Sequence, residues 1–183
     1  MSSQVINPYR FSVAEQVYES TTYINNDDNS DMQDMYNIRY ANGIAIPSGS
    51  SLIGAKPTEI EFKAVKTGSP SGTIYGRIYS NATYYGGLGT LEEQSPTTYS
   101  TSSWTTGTSR TFDFAGTYAL QANDAIAFWS DLSSYPTDAN SITCRGYYSR
   151  ATDNATQIQV EYNTTESLYR ETSYNTLVKL TYK

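Results

Sequence analysis

The sequence predicts an all-β protein, an antiparallel β-sandwich or barrel. Short runs of β-forming residues alternate apolar with polar side chains, and clusters of Gly, Pro, Asn and Ser separate these runs. Helical periodicity is nearly absent. The one helix-start pattern, Ser12–Glu15, leads into the alternating run Val17–Ile24, which favours a strand. Several short alternating strands with turn signals between them are typical of sandwiches and barrels.

The strands are predicted in chain order from this alternation. After Val17–Ile24 they are Tyr36–Ile46, Pro57–Lys66, Thr73–Ser80, Arg110–Phe114, Asp124–Ser130, Ser141–Ser149, Gln157–Tyr162 and Thr176–Tyr182. Because successive side chains of a strand point to opposite faces, Ile60 and Phe62 share one face. For the same reason Ile126 and Phe128 lie opposite Trp129.

The segments between these strands predict the domain organisation. Residues 1–35 are less regular and are interpreted as an N-terminal arm or added edge strands, and residues 36–183 as one sandwich domain. Gly68–Gly72 predicts a turn. The Ser- and Thr-rich tract Ser95–Thr111 favours a long surface loop, with an adaptable contact loop as the alternative.

From about residue 36 onward, the order of strands and turns carries a resemblance to a known type of module. The matching stretches are Pro57–Lys66, Thr67–Gly72, Thr73–Tyr79, Thr111–Phe114, Ala119–Trp129 and Thr176–Tyr182. They resemble the jelly-roll β-sandwich of phage and archaeal-virus structural proteins, and also modules of carbohydrate-associated secreted proteins. The resemblance implies an antiparallel jelly roll. It does not extend to the first 35 residues and includes no catalytic signature.

Composition narrows the class of function. The chain has 18 tyrosines and no histidine, a formal net charge of −6, and only 12 Lys and Arg, which are scattered. Tyrosine builds contact surfaces, whereas histidine is the usual proton carrier and metal ligand. Without a basic patch, binding to nucleic acid or to an anionic bilayer is not expected. A single cysteine, Cys144, leaves no internal disulfide, and we interpret it as a buried apolar side chain.

The acidic residues offer no clear catalytic pair. Without histidine, Ser-His and Cys-His nucleophiles are excluded, and a two-carboxylate glycosidase is the remaining option. Its candidates are Glu59, Glu61, Glu92, Glu93, Asp113 and Asp131. No two of them stand out as an acid and a base, so we expect no enzyme activity and no cofactor.

One acidic loop invites a comparison with calcium sites. Asp27, Asn29 and Asp31 alternate oxygen ligands as calcium loops do. The glycine and the closing glutamate of an EF-hand are missing, however. We therefore favour a solvated acidic turn and assign no metal site.

Aromatic side chains are the candidate ligand-binding residues. They are Tyr84, Tyr85, Trp104, Trp129, Tyr147 and Tyr148. Neighbouring tyrosines in a strand point to opposite faces, so one of Tyr147 and Tyr148 is expected to face the core. Tyr and Trp suit contact with a subunit at least as well as stacking on a sugar ring.

These observations together predict a non-catalytic virion structural protein, a part of a capsid, its decoration, a fibre or a tail. The expected partners are further copies of the chain or other virion proteins. The N-terminal residues Met1–Pro8 lack the basic and apolar regions of a secretory leader, which agrees with location in a virion. The alternative is a carbohydrate-binding or adhesin module, extracellular or on a cell surface. No stretch is long enough for membrane insertion.

Overall fold

A computed structural model describes residues 20–24, 33–34, 39–82, 89–132, 140–148, 156–162, 166–170, 174–176 and 178–183. These residues form thirteen strands and one short 3₁₀ turn, Thr101–Ser103. In chain order the strands are β1 Ser20–Ile24, β2 Gln33–Asp34, β3 Arg39–Ala45, β4 Pro57–Thr67, β5 Gly72–Ser80, β6 Thr90–Ser100, β7 Ser109–Asp113, β8 Ala125–Leu132, β9 Ser141–Tyr148, β10 Thr156–Tyr162, β11 Glu166–Arg170, β12 Tyr174–Thr176 and β13 Val178–Tyr182.

The strands form two antiparallel sheets, which confirms the all-β prediction. The seven-stranded sheet has the order β1-β13-β4-β9-β12, with β2 also paired to β9 and β7 to β4. The six-stranded sheet has the order β11-β10-β3-β8-β5-β6. The described residues contain no helix long and apolar enough to cross a membrane.

One apolar core lies between the two sheets. It receives Phe62 and Phe112 from the seven-stranded sheet and Ile126 and Phe128 from the six-stranded sheet, all at most 1% exposed. Phe128 makes edge contacts with both phenylalanines, with ring centroids 5.6 and 6.3 Å apart. Complete burial of each such side chain is worth roughly 1.5–3 kcal/mol, so this shared core holds the sheets together.

The predicted strand faces are confirmed where the side chains are described. Ile60 and Phe62 are fully buried on the core side of β4. On β8, Ile126 and Phe128 point into the core, whereas Trp129 is only partly buried on the other face. The Gly68–Gly72 turn joins β4 to β5 and so carries the chain from one sheet to the other.

Two short segments of the first 35 residues are described. β1 pairs along its whole length with β13, and β2 pairs with β9. The remainder of 1–35 lies outside the described residues, and the division into an arm and a domain stays a prediction.

The Ser95–Thr111 tract departs from the surface-loop prediction. Its first part, through Ser100, completes the 11-residue strand β6, and its last residues begin β7. Only Ser95 of β6 is fully buried, because β6 is the last strand of its sheet. An edge strand needs few apolar residues, so its composition resembles that of a loop.

Candidate interaction surface

The outer face of the six-stranded sheet carries a cluster of aromatic and polar side chains. Along β5, Ile74 and Ile78 are fully buried in the core, while Tyr75 and Arg77 alternate with them and are half-buried. The neighbouring strand β8 places Trp129 directly beside Tyr75 in the antiparallel register. Alternation along two neighbouring strands therefore brings these three side chains together on the outer face.

Small side chains form the floor beneath this cluster. Ala41, Ala45, Ala125 and Ala127 are at most 1% exposed although they face away from the main core. They form a second apolar cluster with Tyr79, against which Trp129 packs. Small residues in the middle of a sheet leave room for large neighbouring rings, so this floor supports Tyr79 and Trp129.

Arg77 is held at the centre of the cluster by four neighbours. Its guanidinium carbon lies 4.9 Å from the ring centroids of both Tyr75 and Trp129. Its Nε donates a hydrogen bond of 2.8 Å to Gln94 Oε1, and a terminal nitrogen lies 3.2 Å from the Tyr79 hydroxyl oxygen. We call these five residues, Tyr75, Arg77, Tyr79, Gln94 and Trp129, the Arg77 surface.

The Arg77 surface presents a fixed positive charge on an acidic protein. A cation against an aromatic face gains about 0.5–2 kcal/mol depending on its exposure. Two such contacts and two hydrogen bonds hold the guanidinium in one orientation. A partner that meets this surface therefore finds its side chains already ordered, which lowers the entropic cost of binding.

Sequence reasoning identified only Trp129 of this surface. The odd-numbered residues of β5 point outward together with Trp129, but the prediction of a strand at Thr73–Ser80 included no assignment of its outward face. Arg77, Tyr75 and Tyr79 could have been found from the same period of two. Gln94 could not, because it lies on β6, a strand that was not predicted.

Trp104 requires a correction, because it is a core residue and not a surface aromatic. It is 1% exposed and makes perpendicular ring contacts with Tyr99 and Phe128, with centroids 5.8 and 5.5 Å away. The guanidinium of Arg110 lies 5.9 Å from its ring centroid. The polar residues around Trp104 in the sequence suggested a loop, but the chain after the 3₁₀ turn folds the indole inward.

The other four predicted aromatic residues are not tested by the described structure. Tyr84 and Tyr85 lie outside the described residues. Tyr147 and Tyr148 belong to β9, where their backbones pair with Asn175 and Tyr174, but their side chains are not among those described. The opposite orientation of Tyr147 and Tyr148 stays a prediction.

Three of the acidic candidates accept hydrogen bonds from nearby groups. Glu92 accepts from the Ser80 hydroxyl, Glu93 from the backbone N–H of Ala115, and Asp113 from the hydroxyl of Thr97. The other three lie on strand surfaces, with Glu59 and Asp131 exposed and Glu61 half-buried.

A further carboxyl group, that of Asp124, is more deeply buried than any of these six candidates. It is 1% exposed and accepts a hydrogen bond of 2.7 Å from the backbone N–H of Gln121. Burial raises its pKa, opposed by the hydrogen bonds from Gln121 and the Tyr118 hydroxyl, while the nearby charge of Glu92 adds to the increase. Burial also raises the pKa of Tyr118 above its ordinary value. Through these contacts the carboxyl group of Asp124 stabilises the turn that precedes β8.

The raised pKa of Asp124 predicts a pH-dependent contribution to stability. Because the pKa of Asp124 is higher in the folded state, the folded protein binds this proton more tightly than the unfolded chain does. The resulting contribution to the free energy of unfolding is complete below the ordinary Asp pKa of about 4 and is lost as pH rises through the pKa of the folded state. We expect Asp124→Asn to lose this dependence and to gain stability relative to the native protein as pH rises from 4 to 8. Urea unfolding across that range measures it, with exposed Glu59→Gln as the control. A difference in the free energy of unfolding between the native protein and Asp124→Asn that stays constant over this pH range would contradict the raised pKa of Asp124.

A metal site needs several ligating side chains close together. Among the side chains that the structure describes, no three Cys, Asp or Glu residues lie close enough to hold a metal ion. The acidic loop Asp27–Asp31 lies outside the described residues, and its interpretation as a solvated turn stays a prediction.

Comparisons with known proteins add no family assignment. No protein-family model matches the chain, and neither the curated proteins nor the solved structures show a match.

Proposed function

We propose that the chain is a non-catalytic structural protein of a virus particle that acts through subunit contacts on the Arg77 surface. The observation that carries the proposal is the ordered cluster of Tyr75, Arg77 and Trp129 on the outer face of a sheet. The jelly-roll topology belongs to the same proposal on the strength of the sequence resemblance, and the N-terminal arm belongs to it because the pattern of residues 1–35 is less regular.

The residue types of the Arg77 surface support contact with protein. Trp, Tyr and Arg are the residues that most often dominate the binding energy of protein interfaces. Arg77 covers one face of each of the Tyr75 and Trp129 rings, with 4.9 Å between the guanidinium carbon and each centroid. A sugar that stacks on an aromatic ring needs an open ring face, so this arrangement favours a protein partner over a glycan.

A carbohydrate-binding module is the second candidate. Tyr75 and Trp129 are half-exposed rings that lie beside the exposed side chains of Gln94 and Thr98. A ring next to an amide and a hydroxyl is a combination that recognises sugars, through stacking and hydrogen bonds. This candidate predicts glycan binding by a monomer.

Native size and the effect of Trp129→Ala test the proposal. We expect the full chain to form regular assemblies by light scattering and particle imaging. We expect Trp129→Ala to weaken assembly by roughly 30-fold, which corresponds to the loss of about 2 kcal/mol at an interface hot spot. Ile53→Ala is the control, because Ile53 is 44% exposed and lies outside the Arg77 surface.

The two candidates give opposite results. A stable monomer that binds glycans in an array, and loses that binding in Trp129→Ala, overturns the structural proposal and supports the module. Regular assemblies that ignore glycans overturn the module. Assemblies that Trp129→Ala and Ile53→Ala leave equally intact would remove the Arg77 surface from the proposal.

A further inference from the structure

We propose that the partner of the Arg77 surface is a second copy of the chain, packed face to face about a twofold axis that runs along the Tyr75–Trp129 row. This inference rests on the proposed function and deepens it by naming the partner and the symmetry. It is argued from the strand register of β5, β6 and β8 and from the charges that this register places on the outer face.

The register divides the outer face into three rows across the strands. The central row holds Tyr75, paired with Trp129 on β8. The second row lies two residues further along β5 and holds Arg77, paired with Ala127. The third row lies two residues back along β5 and holds Thr73, paired with Asp131. Two residues of a strand span about 7 Å, so the charged rows lie at equal distances on either side of the aromatic row.

A twofold axis along the aromatic row exchanges the two outer rows. The axis lies in the interface, perpendicular to the strands, so that β5 of one copy faces β5 of the other in the opposite direction. Arg77 then stands over Thr73 of the second copy, with Asp131 of that copy one strand to the side. Sheets pack about 10 Å apart and neighbouring strands lie about 5 Å apart. The backbone of Arg77 in one copy is therefore about 11 Å from the backbone of Asp131 in the other.

The charges of the two copies are complementary in this arrangement. The exposed carboxylate of Asp131 comes within reach of the guanidinium of Arg77, and symmetry forms this ion pair twice. On the other side of β5, the polar residues Gln94 and Ser100 of opposite copies face each other, because β6 pairs them with Arg77 and Thr73.

The described part of the face suits a small, reversible contact. The four strands with described outward side chains, β3, β8, β5 and β6, lie about 4.8 Å apart. Over the stretch from Thr73 to Tyr79 they cover about 400 Å² per copy, or about 800 Å² in total. A total of this size is typical of weak, transient interfaces. It predicts a reversible dimer, held by the aromatic centre and oriented by the two ion pairs.

Charge reversal and charge exchange in the full chain test the pairing. We expect Arg77→Glu and Asp131→Arg each to weaken self-association by about tenfold or more in sedimentation equilibrium, because each places like charges opposite each other. The double variant with both changes exchanges the charges across the twofold axis. We expect it to restore association to within a few-fold of the native protein. Glu59→Arg, on the other sheet, is the control for a general effect of charge.

The outcomes separate this inference from the proposed function. Rescue by the double variant supports the twofold pairing. If both single variants weaken association and the double variant does not rescue it, the Arg77 surface is used but the proposed symmetry is wrong. Assembly that none of these variants changes overturns the inference and leaves a structural role through other contacts. A protein that stays monomeric at all concentrations overturns the inference. The proposed function itself is overturned only if that monomer also binds glycans, as described above.

Discussion

Replacing Trp104 with alanine is expected to lower the free energy of unfolding by about 3–5 kcal/mol. The indole is 1% exposed and fills the space between Tyr99, Phe128 and the guanidinium of Arg110. Its removal takes away a large buried apolar area and leaves a cavity, since rigid rings cannot collapse into the space. A loss of this size is a large fraction of the stability of an ordinary domain.

Trp129→Ala is the matched comparison for Trp104→Ala. Trp129 is only partly buried and packs against alanines, so we expect a loss of less than half the Trp104 effect in urea unfolding of the two variants. The relation reverses for self-association, which we expect to depend on Trp129 and not on Trp104. Equal losses of stability in the two variants would contradict the placement of Trp104 in the core.

Replacing Gly43 with alanine is expected to cost about 3 kcal/mol, at the upper end of the range for overpacked cores. A Cβ at this position would overlap the carbonyl oxygen of Ile126 and lie 2.9 Å from the Cα of Ala127. Both neighbours are backbone atoms of β8, the strand that pairs with Gly43. The strands must separate to admit the methyl group, and hydrogen bonds in the middle of the sheet would lengthen.

Gly76→Ala provides a graded control for Gly43→Ala. A Cβ at Gly76 would lie 2.8 Å from Cβ and Cγ of Phe112, which is a milder overlap than the one with the Ile126 carbonyl oxygen at Gly43. We therefore expect a smaller loss for Gly76→Ala in urea unfolding. Because Gly43 pairs with Ala127, we also expect Gly43→Ala to disturb the Arg77 surface and weaken self-association. Native-like stability of Gly43→Ala would show that β3 and β8 approach less closely than described.

The strands with apolar alternation could be predicted, and the edge strand β6 could not. β4, β5 and β8 each place a row of apolar residues in the core, so their period of two is visible in the sequence. β6 needs no such row, because only Ser95 of its eleven residues is fully buried. Its composition of Glu, Gln, Ser and Thr therefore indicates exposure without indicating a strand.

The two tryptophans that were predicted as ligand-binding residues show the same division. Trp129 follows two core residues of a regular strand, so the alternation alone predicted its outward orientation. Trp104 follows a 3₁₀ turn, where no periodicity relates the direction of a side chain to its position in the sequence. Its burial depends on contact with Phe128, which lies on β8 and comes from a distant part of the chain.

Local patterns in this sequence were enough to predict an all-β chain and the core face of its regular strands, because alternation is a property of one strand. Strand pairing joins residues that are far apart in the chain, and only the folded structure shows it. That pairing places Arg77 between Tyr75 and Trp129, with Asp131 two rows away on the same face. The abundance of tyrosine predicted a contact surface, and the register between β5 and β8 determines the position of the aromatic cluster that we propose for it.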